Sequence, residues 1–282
     1  MTQPFALTIT LEKDAGYALA EALGFDGMSE ALAVSIFDGD ADQVIVQALY
    51  ESHAEAEMAR ETAGYADLGI IEQMPNEDWV GLSQSGLAPI EAGRFYVHGS
   101  HDTPPADAPF PILVNAGQAF GTGHHGTTKD CLQILDALSE EGFAPDTILD
   151  LGTGAGILAI GAAKLFPSAK ILATDIDPVA VDVAQENAAL NNVRYDTLVA
   201  DGFQTDGLKG RTFDLVIANI LAGPLRGLAP EIAQAIAPEG QAILSGILDE
   251  QADWVAEAFQ ATGLKVEKRP SLDGWTSLRA SK

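Results

Sequence analysis

Residues 150–156 read Asp150-Leu151-Gly152-Thr153-Gly154-Ala155-Gly156, three alternating glycines behind an acid. Glycines allow a tight turn and let backbone approach a ligand with no Cβ in the way. A dinucleotide site has the spacing G-x-G-x-x-G and holds pyrophosphate on a helix N-terminus. Here the spacing is G-x-G-x-G, and the acid two positions earlier suits a cationic ammonium better than a pyrophosphate. Read without a ligand, the same stretch is a plain strand-to-helix turn. Asp175 lies 23 residues beyond Gly152, where a carboxylate can accept both hydroxyls of a ribose. Asp177 before Pro178 has the pattern of a helix N-cap with proline at N1. Ala218-Asn219-Ile220-Leu221 closes a later strand, at the rim where ligands of α/β sheets sit. A second loop, Ala119-Phe120-Gly121-Thr122-Gly123-His124-His125-Gly126-Thr127-Thr128, is too rich in glycine, threonine and histidine for core packing.

The D-x-G-x-G-x-G form resembles motif I of the class I S-adenosylmethionine-dependent methyltransferases. Taken with A-F-G-T-G-H-H-G-T-T (119–128), A-N-I-L-A-G-P-L (218–225) and L-S-G-I-L (244–248), its order and spacing closely resemble the ribosomal protein L11 methyltransferase (PrmA) family. The resemblance spans about residues 79–282; residues 1–74 match by pattern alone. It implies S-adenosyl-L-methionine as cofactor, with the family's contacts falling on Thr128, Gly152, Asp175 and Asn219; Phe120, Gly121, Thr122, Asp150, Gly154 and Asp201 are expected to join them, Asp201 near the adenine. It implies methylation of amino groups of ribosomal protein L11, lysine side chains and the N-terminal amine, and recognition of that basic protein by the N-terminal domain. Asn219 would accept from the neutral amine and aim its lone pair at the methyl group; His125 is the one nearby candidate base. Two departures stand out: Gly126 where the family usually has proline, and His124 where a smaller residue is common. Both are expected to loosen the cofactor loop. Two other functions fit less well. One is methylation of another lysine-bearing protein, as in the related methyltransferases of electron-transfer flavoprotein. The other is a non-catalytic binding module, against which the intact F-G-T-G loop and Asn219 argue.

Other features carry less. His98, His101, His124 and His125 lie close in sequence, but no acid or cysteine spacing completes a metal site, and none is expected. Asp38-Gly39-Asp40-Ala41-Asp42 begins like a calcium loop, yet Gln43 and Leu49 occupy its sixth and twelfth positions. Cys131 shares an apolar helix with Leu135 and Leu138 and reads as core; being the sole cysteine, it cannot form an intramolecular disulfide. Arg94, amid Phe95 and Tyr96, is read as a structural partner for an acid.

Of 282 residues, 47% are hydrophobic and 20% charged, which excludes a disordered chain, a collagen and a coiled coil. Apolar runs such as Ile157–Ala163 fall far short of the ~18 residues of a membrane span. The N-terminus, Met1-Thr2-Gln3-Pro4-Phe5, lacks a basic and then apolar leader, so a soluble, cytoplasmic monomer is expected. Forty-one acids against fifteen bases give a net charge of −26, which argues against nucleic-acid binding. Residues 1–100 hold seventeen acids and three bases, a net of −14. Such a surface attracts a basic partner or simply keeps the chain soluble.

These residues need elements to position them. Residues 5–11 alternate as a strand, 14–24 read as a helix, Leu32–Phe37 and Val44–Tyr50 as strands. Ser52-His53-Ala54-Glu55 is a capping box opening a second helix to about Gly64, and Ile70–Met74 is a last strand. The order β-α-β-β-α-β is that of a ferredoxin-like unit, expected over 1–74 with one sheet face free. Residues 75–111 hold six of the fourteen prolines and are read as a linker with some local packing by Trp79, Phe95 and Tyr96. After a helix over Lys129–Leu138, strands and helices alternate from Thr147, with helices at about 156–166, 178–191, 224–237 and 249–261. That is a doubly wound, Rossmann-like α/β domain over 112–282, a mostly parallel seven-stranded sheet. Lys265–Lys268 and Trp275–Ala280 would add a C-terminal antiparallel hairpin.

Overall fold

The computed structural model describes residues 4–24, 31–39, 42–65, 68–73, 89–100, 102–114 and 125–282, with backbone alone at 14, 21, 24, 33, 38 and 125. The chain forms two compact units, Met1–Trp79 and Val80–Lys282.

The first unit runs β1 (Phe5–Glu12), α1 (Lys13–Gly24), β2 (Ala33–Asp38), β3 (Gln43–Tyr50), α2 (His53–Thr62) and β4 (Ile70–Gln73). Its sheet order is β2-β3-β1-β4, with every pairing antiparallel. The period-2 pattern of β1 sets the register. Leu7 and Ile9 lie opposite Ala48 and Val46 and are buried with Leu19 and Leu23 of α1 and Ala56 and Ala59 of α2. The intervening residues take the other face, where Gln47 Nε2 donates to Thr8 Oγ1 at 3.3 Å. The capping box forms as its spacing predicts: the Glu55 amide donates to Ser52 Oγ at 3.3 Å, and the Ser52 amide to Glu55 Oε2 at 3.1 Å.

The second unit opens with a small sheet, β5 (Ile90–Ala92), β6 (Phe95–His98) and β7 (Phe110–Leu113). The expected linker is therefore partly folded. Ala92, Phe95, Val97 and Ile112 are buried with Leu132 and Leu135 of α3 (His125–Glu140). Arg94 locks the join. Its amide and Nε donate to the two Asp136 oxygens at 2.9 and 2.5 Å, and its guanidinium stacks on Phe110. Strands of three or four residues give too few alternations for a period to show, and the prolines between them read as linker.

The main sheet holds β8 (Thr147–Leu151), β9 (Lys170–Asp175), β10 (Asp196–Val199), β11 (Phe213–Asn219), β12 (Ile236–Ser245), β13 (Lys265–Lys268) and β14 (Leu278–Ser281). Its order is β10-β9-β8-β11-β12-β14-β13. The first five are parallel, and β14 inserts antiparallel between β12 and β13. Helices cover both faces. Ile148, Ile217 and Ile243 pack on one face with α3 and α4 (Ile157–Leu165). Leu149, Val216 and Leu244 pack on the other with α6 (Ala222–Gly227), α7 (Ala229–Ala235) and α8 (Ala252–Ala261). Between β9 and β10 runs α5 (Pro178–Leu190). The single helix expected over 224–237 is two, because Pro230 has no amide to donate to Arg226 and starts a new turn at α7. The last strand starts at Leu278 rather than Trp275, since Leu272 and Trp275 close a turn instead. Among the described residues no helix is long and apolar enough to cross a membrane.

Candidate functional site

The site lies at the C-terminal ends of β8, β9 and β11, where the sheet order reverses direction. Asp150, near the end of β8, is 1% exposed. Its Oδ2 accepts from Thr153 Oγ1 at 2.6 Å and from the Ala159 amide, in the first turn of α4, at 3.1 Å. Among the described residues its Oδ1 has no partner. Burial pushes its carboxyl up to about 6, against the two hydrogen bonds that favour its charge and with the nearby Asp175 adding to the rise. A buried, unpaired carboxylate oxygen is costly unless a cation meets it. Asp150 therefore both braces the turn and keeps an acceptor open.

The turn itself depends on glycine. Gly152 has φ +73°, and a Cβ there would lie 2.3 Å from Ile220 Cγ2. Gly156, φ +83°, caps α4 and would place a Cβ 2.5 Å from Tyr195 Oη. The Gly152 and Thr153 amides donate to the Thr174 carbonyl at 2.8 and 2.9 Å, tying the turn to β9.

Asp175 ends β9 beside it. The Gly154 amide donates to its Oδ2 at 2.8 Å and the Asp177 amide to its Oδ1 at 3.1 Å. Each oxygen keeps a second lone pair, so the carboxylate is fixed in place yet able to accept two hydroxyls. Asp177 is the N-cap of α5, accepting from the Val179 amide at 2.8 Å with Pro178 behind it. Asp201 follows β10 on the surface, and Ile176 and Val199 next to these acids are exposed. Ile176, which sequence reasoning did not single out, lies between two acids and is exposed rather than core.

Asn219 ends β11 in register with Ser245. It follows Leu215 and Ile217 at every second position, so it faces the α3 side of the sheet, as Asp150 does after Ile148. Ile220 joins the motifs. Besides its contact with Gly152, its carbonyl oxygen would lie 2.2 Å from a Cβ on Gly246. The glycine turn, A-N-I-L and L-S-G-I-L thus converge on Ile220, a residue no motif singles out.

α3 covers this face. Thr127 and Thr128 are buried in its first turn, and the fully buried Cys131 lies beside Ser245 and within the field of Asp150. Burial pushes its thiol up, as a core cysteine requires. Phe120, Gly121 and Thr122 lie outside the described residues, and His125 opens α3 by its backbone alone. The structure thus brings together Asp150, Gly152, Gly154, Asp175 and Asn219 at the strand ends, and Thr128 is buried in the first turn of α3. Among the described residues no group of three or more His, Cys, Asp or Glu side chains could hold a metal ion.

Comparison with known proteins agrees with this architecture. The pattern of the family described as ribosomal protein L11 methyltransferase (PrmA) matches residues 14–282. A ribosomal protein L11 methyltransferase of Brucella abortus (strain S19) is 44% identical over 268 residues, 92% of each chain. One from Bradyrhizobium diazoefficiens is 47% identical over 217 residues, 76% of this chain and 73% of that one. Among solved structures, the ribosomal protein L11 methylase of Lactobacillus delbrueckii subsp. bulgaricus superposes with a TM-score of 0.60 at 30% identity, covering 69% of this chain and 98% of that one. With its Rossmann-like sheet, its glycine turn and its strand-end acids, the chain belongs to the ribosomal protein L11 methyltransferase family.

Proposed function

We propose that this chain transfers the methyl group of S-adenosyl-L-methionine to amino groups of ribosomal protein L11, on lysine side chains and at the N-terminus, in the cytoplasm. One observation carries the reading: the buried Asp150 oxygen without a partner among the described residues, beside a glycine turn whose neighbour Asp175 is fixed to accept hydroxyls. The residues present fit the cofactor. Asp150 would take its ammonium, Gly152, Gly154 and Thr128 its methionine portion, Asp175 its ribose, and Asp201 with Ile176 its adenine edge; Phe120, Gly121 and Thr122 would close over it. When bound, the cofactor supplies a methyl group on a positively charged sulfur.

The chain's own residues then have a positioning task. Asn219, at the rim beside Gly152, accepts a hydrogen bond from the neutral amine and turns its lone pair toward the methyl carbon. In a displacement of this kind orientation supplies much of the rate. A lysine, whose free pKa is about 10.4, must first lose a proton. Burial beside a positive charge lowers that value, and water or His125 takes the proton. The acidic first unit recognises the basic substrate. Mass spectrometry of purified L11 after incubation with the protein and cofactor tests the reading. Methylated lysines and a methylated N-terminus are expected; L11 that stays unmodified overturns it.

A further inference from the structure

The loop joining β13 to β14, residues 269–277, is built more tightly than a surface turn requires. Leu272 and Trp275 exchange both backbone hydrogen bonds, at 2.8 and 3.0 Å. Asp249 anchors the loop from below: Ser271 Oγ and Thr276 Oγ1 donate to its two oxygens at 2.5 and 2.6 Å, and its amide donates to the Gly274 carbonyl at 3.1 Å. These hydroxyl bonds hold its carboxyl below the usual range. The Thr276 amide also donates to the Ile247 carbonyl at 2.9 Å. The loop thus hangs from the segment that leaves β12, beside the strand that carries Asn219.

Its inner side meets the start of α3. A Cβ on Gly126 would lie 3.1 Å from the Leu272 carbonyl oxygen and 3.5 Å from Trp275 Cδ1, so the helix backbone rests directly on the loop. One turn further, Asp130 is 4% exposed; its Oδ1 accepts from Arg269 Nη2 at 3.3 Å and its Oδ2 has no partner among the described residues. Asp130 is buried but the Arg269 side chain is 40% exposed, so solvent screens the pair and it contributes little net stability, yet it fixes which residues face each other. The charge there makes sense as a register pin.

We propose that the 269–277 loop is a positioning element of the transfer site: Arg269 through Asp130, and Leu272–Trp275 against Gly126, hold the first turn of α3 so that Thr127 and Thr128 meet the cofactor. The inference rests on the reading that this turn contacts S-adenosylmethionine. It also gives Gly126 a purpose, since the helix start can sit this low on the loop only without a side chain.

The test measures S-adenosylhomocysteine binding by calorimetry, S-adenosylmethionine kinetics with L11, and thermal denaturation, on the full chain. The double variant Asp130→Asn/Arg269→Gln should raise Kd and KM by about tenfold while kcat stays within about twofold. Arg269→Lys, which keeps the charge, should recover most of the affinity, and Gly126→Ala should weaken binding in the same direction. Thr128→Ala is the control for the underlying reading. If the unaltered protein does not bind the probe, or Thr128→Ala binds it equally well, that reading fails. If Thr128→Ala weakens binding but the double variant only lowers the melting temperature, the loop is structural and the inference is overturned. Should the double variant not fold, unchanged Kd in Gly126→Ala overturns it.

Discussion

The proposed contact of Asp150 with the cofactor's ammonium predicts that cofactor affinity depends on pH. Burial places its free-protein pKa at about 6, and a bound ammonium beside Oδ1 favours the carboxylate and lowers that value. Binding therefore releases a proton below pH 6. Affinity should be flat above that pH and should fall by up to about tenfold per unit below it. Asp150→Asn should remove the dependence and bind at a low, constant affinity; calorimetry from pH 5 to 8 (about three units of span) distinguishes the two. A pH-independent Kd in the unaltered protein would place Asp150 outside the cofactor site, as a brace of α4 only. Asn219 makes a different demand. Asn219→Ala should keep cofactor affinity within about tenfold, roughly 1.4 kcal/mol, yet lose most turnover through misaligned amine geometry. Equal losses of binding and turnover would make it a cofactor anchor instead.

At the scale of elements, Ile220 is where the glycine turn, the end of β11 and the end of β12 meet, and the two glycines that touch it should tolerate nothing larger. Gly246→Ala puts a methyl into the Ile220 carbonyl at a φ of +81°, and should cost about 2 kcal/mol or more in chemical denaturation. Gly223, in α6 with open space around it, makes the contrast: Gly223→Ala should be neutral or stabilise by about 0.5–1 kcal/mol. Equal effects at both positions would mean that the convergence at Ile220 is loose. These contacts also show what could be read beforehand. The glycine turn, Asp175, the Asp177 cap and the strand-helix alternation were legible because each is a local pattern of spacing and residue type. The Arg94–Asp136 and Asp130–Arg269 pairs were not, because each joins residues far apart in the chain, and no single-sequence period connects them. Nor was the small sheet over 90–113, whose strands are too short to alternate visibly. The role of Ile220 was hidden for a third reason: it acts through its bulk and its backbone carbonyl, and neither leaves a mark in a motif.

At the scale of the whole molecule, the proposed division of labour between the units rests on charge. Every cofactor residue named lies in Val80–Lys282, whereas residues 1–100 carry a net −14. Residues 80–282 alone should bind S-adenosylmethionine as the full chain does but methylate L11 poorly. Since exposed charges are screened over about 10 Å at 0.1 M salt, kcat/KM of the full chain on L11 should fall as salt rises, mainly through slower association. Equal efficiency of the shortened and full chains would leave the acidic unit a solubility role. The central claim concerns which protein receives the methyl group. Radiolabelled S-adenosylmethionine, added with the purified protein to an extract of cells that lack it, tests this most directly. The label should appear in ribosomal protein L11, in acid-stable form on its amines; label confined to another protein, or no transfer at all, would contradict the account.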